Sequence, residues 1–208
     1  MNDSVTNEYF SITKNYINKY GEKTILLMQV GAFFEMYGIK DDEGNVSGSQ
    51  IVDICSICHL SMPKKGVYGG KTIVMAGVRD YCLDKYLPKI TDYGYTAIVY
   101  DQEKVNTKVT RKLSGIYSPG TSIENDNNTK ITNNIMCIWL ETIKNKKEER
   151  IIYGISTINI FTGKSYIFEH QTQFLLDPTT FDELERAISV FSPSEVIFIS
   201  PFEDNIIK

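Results

Sequence analysis

The chain has 208 residues, 42% of them hydrophobic and 23% charged, with a net charge of −4. That is enough for one or two globular domains and excludes a polybasic nucleic-acid module. No apolar run approaches the ~18 residues of a membrane span, and no basic-then-apolar leader is present, so an intracellular protein is expected.

Val5 to Tyr20 reads as an amphipathic helix, with Val5, Tyr9, Ile12, Tyr16 and Tyr20 three and four apart; Asp3 or Ser4 could cap it and Gly21 end it. Thr24 to Val30 is an apolar run that reads as a buried strand, and Gly31 and Gly38 bracket a second short strand. Asp41 to Gly48 is a polar turn region. Gln50 to His59 is a second helix with Ile51, Ile54, Cys55 and Cys58 on one face. Lys64, Lys65 and Lys71 flank a flexible Gly-rich loop, Gly66 to Gly70, and Thr72 to Ala76 is a short strand. Asp80 is placed to cap a helix carrying Tyr81, Leu83, Leu87 and Ile90, which Pro88 should kink or break. Tyr95 to Tyr100 is a strand, and Lys104, Lys108, Arg111 and Lys112 form a basic run leading into Leu113 to Tyr117.

Ser118 to Asn134, rich in Pro, Gly, Asn, Asp, Ser and Thr, reads as a linker, which predicts a first domain over 1–117 and a second over 135–208. In the second, Ile135 to Glu141, Ile151 to Ile158 and Ser165 to Phe168 are strands. Thr180 and Glu183 form a candidate capping box for a helix with Phe181, Leu184, Ile188 and Phe191 on one face; Pro193 ends it, and Val196 to Ile199 is a buried strand. Three meandering strands, a helix and a returning strand open a ribonuclease-H-like fold. The fold class expected is α/β (α+β): a mixed-sheet domain followed by a partial ribonuclease-H-like domain. The first 120 residues carry 14 Lys/Arg against 13 Asp/Glu, the remainder 8 against 13, so only the first half is a candidate for nucleic acid.

The stretch between the glycines, Ala32-Phe33-Phe34-Glu35-Met36-Tyr37, is the one that asks for a function. In a strand Phe34 and Met36 point one way, and Phe33, Glu35 and Tyr37 the other. Burying an unpaired carboxylate is costly, so the Glu35 face is expected to be exposed, and Phe33 with it. One reading is a half-buried strand whose odd-numbered face is covered by another element, with Glu35 at the rim. The other is an aromatic wedge that stacks on a base beside an acceptor that reads its edge.

Three further patterns suggest chemistry. Cys55-Ser56-Ile57-Cys58-His59 matches the c-type haem signature, yet the same thiols fall on the apolar helix face, and Cys82, Cys137 and His170 are too scattered to complete a zinc site. Gly70-Lys71-Thr72 ends like a phosphate loop, but Lys65 stands where its first glycine belongs. A ribonuclease-H-like nuclease needs carboxylates within its first strands; Ile135 to Leu140 and Ile151 to Ile158 hold none, and Glu141 lies at a strand end. Neither a metal site nor catalysis is expected.

Gly31-Ala32-Phe33-Phe34-Glu35 resembles the Phe-x-Glu motif in the amino-terminal domain of MutS mismatch-repair proteins, usually Gly-Asp-Phe-Tyr-Glu. Met75-Ala76-Gly77 looks like that family's Met-Ala-Gly turn, which makes Met75 a candidate support for the site. Tyr117-Ser118-Pro119-Gly120-Thr121 is similar to the Val-Thr-Pro-Gly-Thr that closes the domain, and residues 130–200 look like the start of the MutS connector domain. The resemblance covers nearly the whole chain, in order, and extends to the branch found in giant viruses and octocoral mitochondria.

The resemblance implies that Phe33 stacks on a mispaired base, that Glu35 hydrogen-bonds to it, and that the duplex is kinked there. Lys64, Lys65, Lys71, Lys104, Lys108, Arg111 and Lys112 would contact the DNA backbone. Ala32 replaces the usual Asp, so that acid's part does not carry over. The family's clamp and ATPase regions are absent, so no cofactor is expected in this chain; ATP and Mg belong to the ATPase region. Implied partners are double-stranded DNA with mismatches, a second subunit in the full-length protein, and repair factors docking through the connector. Nucleus, cytoplasm, virus factory and organelle all remain open as compartments. A binder of branched or bent DNA and a protein-interaction module of a repair complex are the alternatives.

Overall fold

In a computed structural model of the chain, which describes residues 3–105, 108–121, 133–144, 148–175 and 177–201, β1 (Thr24–Val30) and β2 (Phe33–Lys40) form an antiparallel pair. β2 also pairs with the short β3 (Val46–Ser47) and with β5 (Lys71–Arg79), and β4 (Lys64–Tyr68) pairs with β5. On the far side β6 (Thr96–Val105) lies parallel to β1, and β7 (Lys108–Tyr117) is antiparallel to β6. The order is β4-β5-β2-β1-β6-β7, a mixed sheet as expected.

Helices cover both faces. Helix α1 (Asp3–Tyr20) packs Tyr9 with Leu26, Met28, Tyr37, Ile73 and Ile98. Helices α2 (Ile51–Cys58) and α3 (Leu83–Asp92) pack on the other face with Ile25, Leu27, Phe34 and Met36. A strand covered on both sides reads as a continuous apolar run, which is why Ile25 to Met28 shows no alternation. Gly38 has a packing reason: a Cβ there would meet Val46 Cγ1 at 2.5 Å and Ile51 Cγ2 at 2.8 Å, so a side chain would push α2 off the sheet.

Several expectations need correction here. The face of β2 carrying Glu35 and Tyr37 is not exposed but covered by another element, the first of the two readings, because α1 lies across it: the Tyr9 ring meets Tyr37 edge-on at 4.9 Å, and its hydroxyl donates to the Leu26 carbonyl at 3.1 Å. The Gly-rich stretch is a hairpin, with Gly69 and Gly70 at φ +55° and +80° joining β4 to β5, the paired positive values that a tight two-residue hairpin turn requires. Helix α3 runs unbroken through Pro88; the irregularity lies earlier, in a 3-10 turn over Asp80–Cys82. Asp80 lies in that turn and accepts from the adjacent Tyr81 N–H, while Cys82 stands at the helix start, so Asp80 does not cap the helix.

The chain divides into two compact units, Met1–Glu124 and Asn125–Lys208. Of the expected linker, residues 122–132 lie outside the described residues, while Ser118 to Thr121 form a turn closed by Thr121 N–H to the Ser118 carbonyl at 3.1 Å. In the second unit β8 (Asn134–Lys144), β9 (Glu149–Asn159) and β10 (Ser165–Gln173) meander, and β11 (Glu195–Ile199) returns parallel to β8 after α4 (Asp182–Phe191). The sheet order β10-β9-β8-β11 is that expected of a partial ribonuclease-H-like connector domain.

Four local readings change in this unit. Thr180 does not cap α4: its hydroxyl donates to the Leu175 carbonyl at 2.7 Å, and Asp177 accepts from Thr179 N–H at the start of a 3-10 turn before the helix. On α4, Leu184 is buried with Phe181 and Phe191 packed against the same core as expected, but Ala187 joins that face and Ile188 is exposed. β11 is an edge strand with Val196, Ile197, Phe198 and Ile199 all exposed among the described residues. Glu141 lies inside β8, not at its end, and accepts from Trp139 Nε1 at 3.1 Å on an exposed face. No helix among the described residues is long and apolar enough to cross a membrane.

Candidate nucleic-acid interface

The β1–β2 connection is only Gly31-Ala32, with Gly31 at φ +63°. It is pinned from both sides. Gly31 N–H donates to Gln102 Oε1 at 3.1 Å, Gln102 N–H donates to Gln29 Oε1 at 2.8 Å, and the Ala32 carbonyl accepts from Asp80 N–H at 3.0 Å. A rigid turn therefore presents the first residue of β2, Phe33. Its ring is 38% exposed, whereas the next residue, Phe34, is 4% exposed in the core under α2 and α3. Opposite Phe33 in the ladder stands Arg79, whose guanidinium lies over the ring, 5.1 Å from its centre.

Glu35 shares the Phe33 face but is 8% exposed. It avoids the penalty of an unpaired buried charge because Tyr37 donates its hydroxyl, and Lys65 its ammonium, to Oε2. Lys65 Nζ also lies 3.4 Å from the Tyr37 hydroxyl and 5.0 Å from the centre of that ring. Burial first, and then the bond to Glu35, raise the Tyr37 phenol above its ordinary range, so Tyr37 stays a donor. Gly77 is opposite Glu35 on β5, where a Cβ would come within 3.0 Å of the Phe34 carbonyl and 3.5 Å of Glu35 Cγ. The Met-Ala-Gly sequence thus has a steric reason: the glycine lets β5 approach the Phe34 carbonyl of β2 closely. Met75 is opposite Tyr37 and packs in the α1 layer, supporting the strand that carries the site.

The basic residues separate into two kinds. Arg111 does not face solvent: its side chain is 8% exposed, Nε donates to the Gln29 carbonyl at 3.1 Å, and a terminal nitrogen donates to Glu8 at 2.9 Å. With Lys65 engaged by Glu35, both cations already have a carboxylate partner within the protein. Lys64, Lys71, Lys104 and Lys112 are exposed, Lys112 lying 3.7 Å from Glu103. The side chain of Lys108 lies outside the described residues.

The other patterns resolve as packing. Cys55 and Cys58 are buried against α3 and the sheet, and burial pushes the Cys55 thiol up to about 11 and raises Cys58 as well, disfavouring the thiolates that metal or haem chemistry needs. His59 adopts a left-handed conformation that ends α2. Gly70-Lys71-Thr72 opens a strand, not the helix that would cradle a phosphate. Among the described residues no group of three or more His, Cys, Asp or Glu side chains is arranged to hold a metal.

The sequence model of MutS domain I matches residues 5–126, which take in Phe33, Glu35, Lys65, Met75 and Arg79. The chain belongs to the MutS domain I family. A DNA mismatch repair protein MutS from Parabacteroides distasonis is 32% identical over 195 residues, covering 91% of this chain and 19% of that protein. A mutS homolog of Acanthamoeba polyphaga mimivirus is 26% identical over 204 residues, covering 96% of this chain and 18% of its own length. A MutS of Halothermothrix orenii is 27% identical over 191 residues, with 90% and 19% covered. The chain spans about a fifth of the length of these curated relatives.

Within this MutS domain, sequence reasoning missed Arg79 as the companion of Phe33 and Tyr37 as a donor to Glu35. It also gave Lys65 and Arg111 to the DNA backbone. The only signal for Arg79 is its place two residues beyond Gly77, which becomes informative once Gly77 is set opposite Glu35.

Proposed function

We propose that the chain recognises mispaired or unpaired bases in duplex DNA, with Phe33 as the wedge and Glu35 as the acceptor beside it. The observation that carries the reading is the contrast between Phe33 and Phe34: one ring exposed at the end of a pinned turn, its neighbour buried. An exposed ring on a rigid support can stack on a base at little entropic cost, and base–aromatic stacking contributes about 1–3 kcal/mol. A mispaired step is cheaper to unstack and bend, so the energy of deforming the duplex supplies the discrimination. The relatives are named for DNA mismatch repair, which supports the same reading. ATP hydrolysis with Mg, dimer formation and docking of repair factors enter it only as roles of a longer polypeptide.

The exposed lysines Lys64, Lys71, Lys104 and Lys112, with Lys108, supply phosphate contacts. Neutralising them together should weaken matched and mismatched duplexes alike and flatten the dependence of affinity on salt, by about one unit of slope for each lysine that meets a phosphate. A salt series on the variant checks this, and an unchanged slope removes these residues from the interface.

A binder of bent or branched DNA could use the same wedge. Titrating the chain with a matched duplex, a duplex with one mispair and a four-way junction separates the readings. Tightest binding to the mispaired duplex is expected, whereas preference for the junction with no gain from the mispair would favour the branched-DNA reading.

A further inference from the structure

We infer that Lys65 is a specificity-determining residue of this surface, acting as the fixed counter-ion of Glu35 and not as a phosphate contact. The inference rests on the mismatch-recognition reading above. Its first support is the shape of β4. Lys64 pairs with Val74 and Gly66 with Ile73, so Lys65 is an extra residue in the ladder, a bulge. Bulges re-aim side chains. This one brings the ammonium onto the Glu35 carboxylate, although β5 lies between the two strands. Gly77, facing Glu35 from β5, puts no side chain in the way.

The second support is the set of contacts the ammonium makes. The Lys65 side chain is 26% exposed and that of Glu35 11%, and the ammonium is held by the carboxylate, the Tyr37 hydroxyl and the Tyr37 ring. A lysine used for phosphates keeps its head in water; Lys65 lies at the surface like Lys64 and Lys71, but its ammonium is engaged by Glu35. The third support is electrostatic. A bare carboxylate brought to a kinked duplex is repelled by the phosphates and stranded in a dry site. Of the other charged groups near this corner, Arg111 on β7 and Glu8 on α1 neutralise one another, and Arg79 on β5 is held over the Phe33 ring. Lys65 is thus the cation left to balance Glu35, and both of Glu35's described bonds fall on Oε2, leaving Oε1 to accept from a base.

The test is a set of titrations with matched and mismatched duplexes at one salt concentration, with thermal melts as folding controls. Lys65→Met should lower the preference for the mismatch about tenfold while changing affinity for the matched duplex little. Lys65→Arg, which keeps the cation, should retain most of the preference. Adding Lys65→Met to Glu35→Gln should change neither duplex, because no charge remains to be balanced. This pair of variants also carries the comparison if Lys65→Met alone does not fold. For contrast, Lys64→Met should weaken both duplexes alike. Equal losses on both duplexes from Lys65→Met, or a further loss on both in the Glu35→Gln background, would overturn the inference and make Lys65 a phosphate contact. A wild-type chain with no preference for the mismatch would instead overturn the mismatch reading itself.

Discussion

Phe34→Ala is expected to destabilise the first unit by about 3–5 kcal/mol. The ring is 4% exposed and sits in the layer formed by Ile25, Leu27, Met36 and the apolar faces of α2 and α3. Deleting it removes a large apolar surface from the core and leaves a cavity that the pinned β1–β2 pair cannot close. Thermal or denaturant unfolding measures the loss. Under conditions where the variant remains folded, its preference for mispaired DNA should survive, because nothing on the Phe33 side of the strand has changed. A variant of unaltered stability would contradict the packing described.

Phe33→Ala should do the reverse. Phe33 is 38% exposed, and its ring's companion is the Arg79 guanidinium; an exposed cation–π contact of this kind contributes about 0.5–1 kcal/mol. Folding should therefore change by no more than that. The mismatch preference, in contrast, should fall by about one to two orders of magnitude, the equivalent of the roughly 1–3 kcal/mol assigned to stacking on a base. Affinity for matched duplex should be nearly unchanged, since lysine–phosphate contacts do not involve the ring. Paired titrations of the variant and the wild type give both numbers. Retention of the full preference would remove the wedge.

Much of the frame was legible because the periodicities are clean. The spacing of Ile51, Ile54, Cys55 and Cys58 gave the buried face of α2 residue for residue. Gly21, donating to the Ile17 carbonyl at φ +90°, ends α1 where a glycine should. Alternation also separated Phe33 from Phe34. It could not say what lies over each face, and there the reading failed. Glu35 was expected in solvent because an unpaired acid is costly to bury, but the pairing cation comes from a bulged residue two strands away, and a bulge leaves no mark in the periodicity of β4.

The same limit explains the basic run. Lys104 to Lys112 looks continuous in the sequence, yet the β6–β7 hairpin pairs Arg111 with Gln102 and Lys112 with Asp101, which sends them to opposite faces; Arg111 turns inward to Glu8. β11 failed for a related reason. A short apolar run gives no indication of its neighbours, and Val196 to Ile199 pairs on one side with β8 and stands at the edge of its sheet. The Thr180–Glu183 spacing fits a capping box only if the backbone enters the helix there, and a 3-10 turn intervenes.

The most direct test of the wedge is a photo-cross-link from the mispaired base itself. A duplex carrying 5-iodouracil at the mispaired position, irradiated with the chain bound and mapped by peptide mass, reports which aromatic side chain stacks there. The expected result is a cross-link to Phe33 that disappears when the same base is correctly paired. A cross-link that maps elsewhere, or that forms equally with the matched duplex, would contradict the assignment of Phe33 to the mismatch.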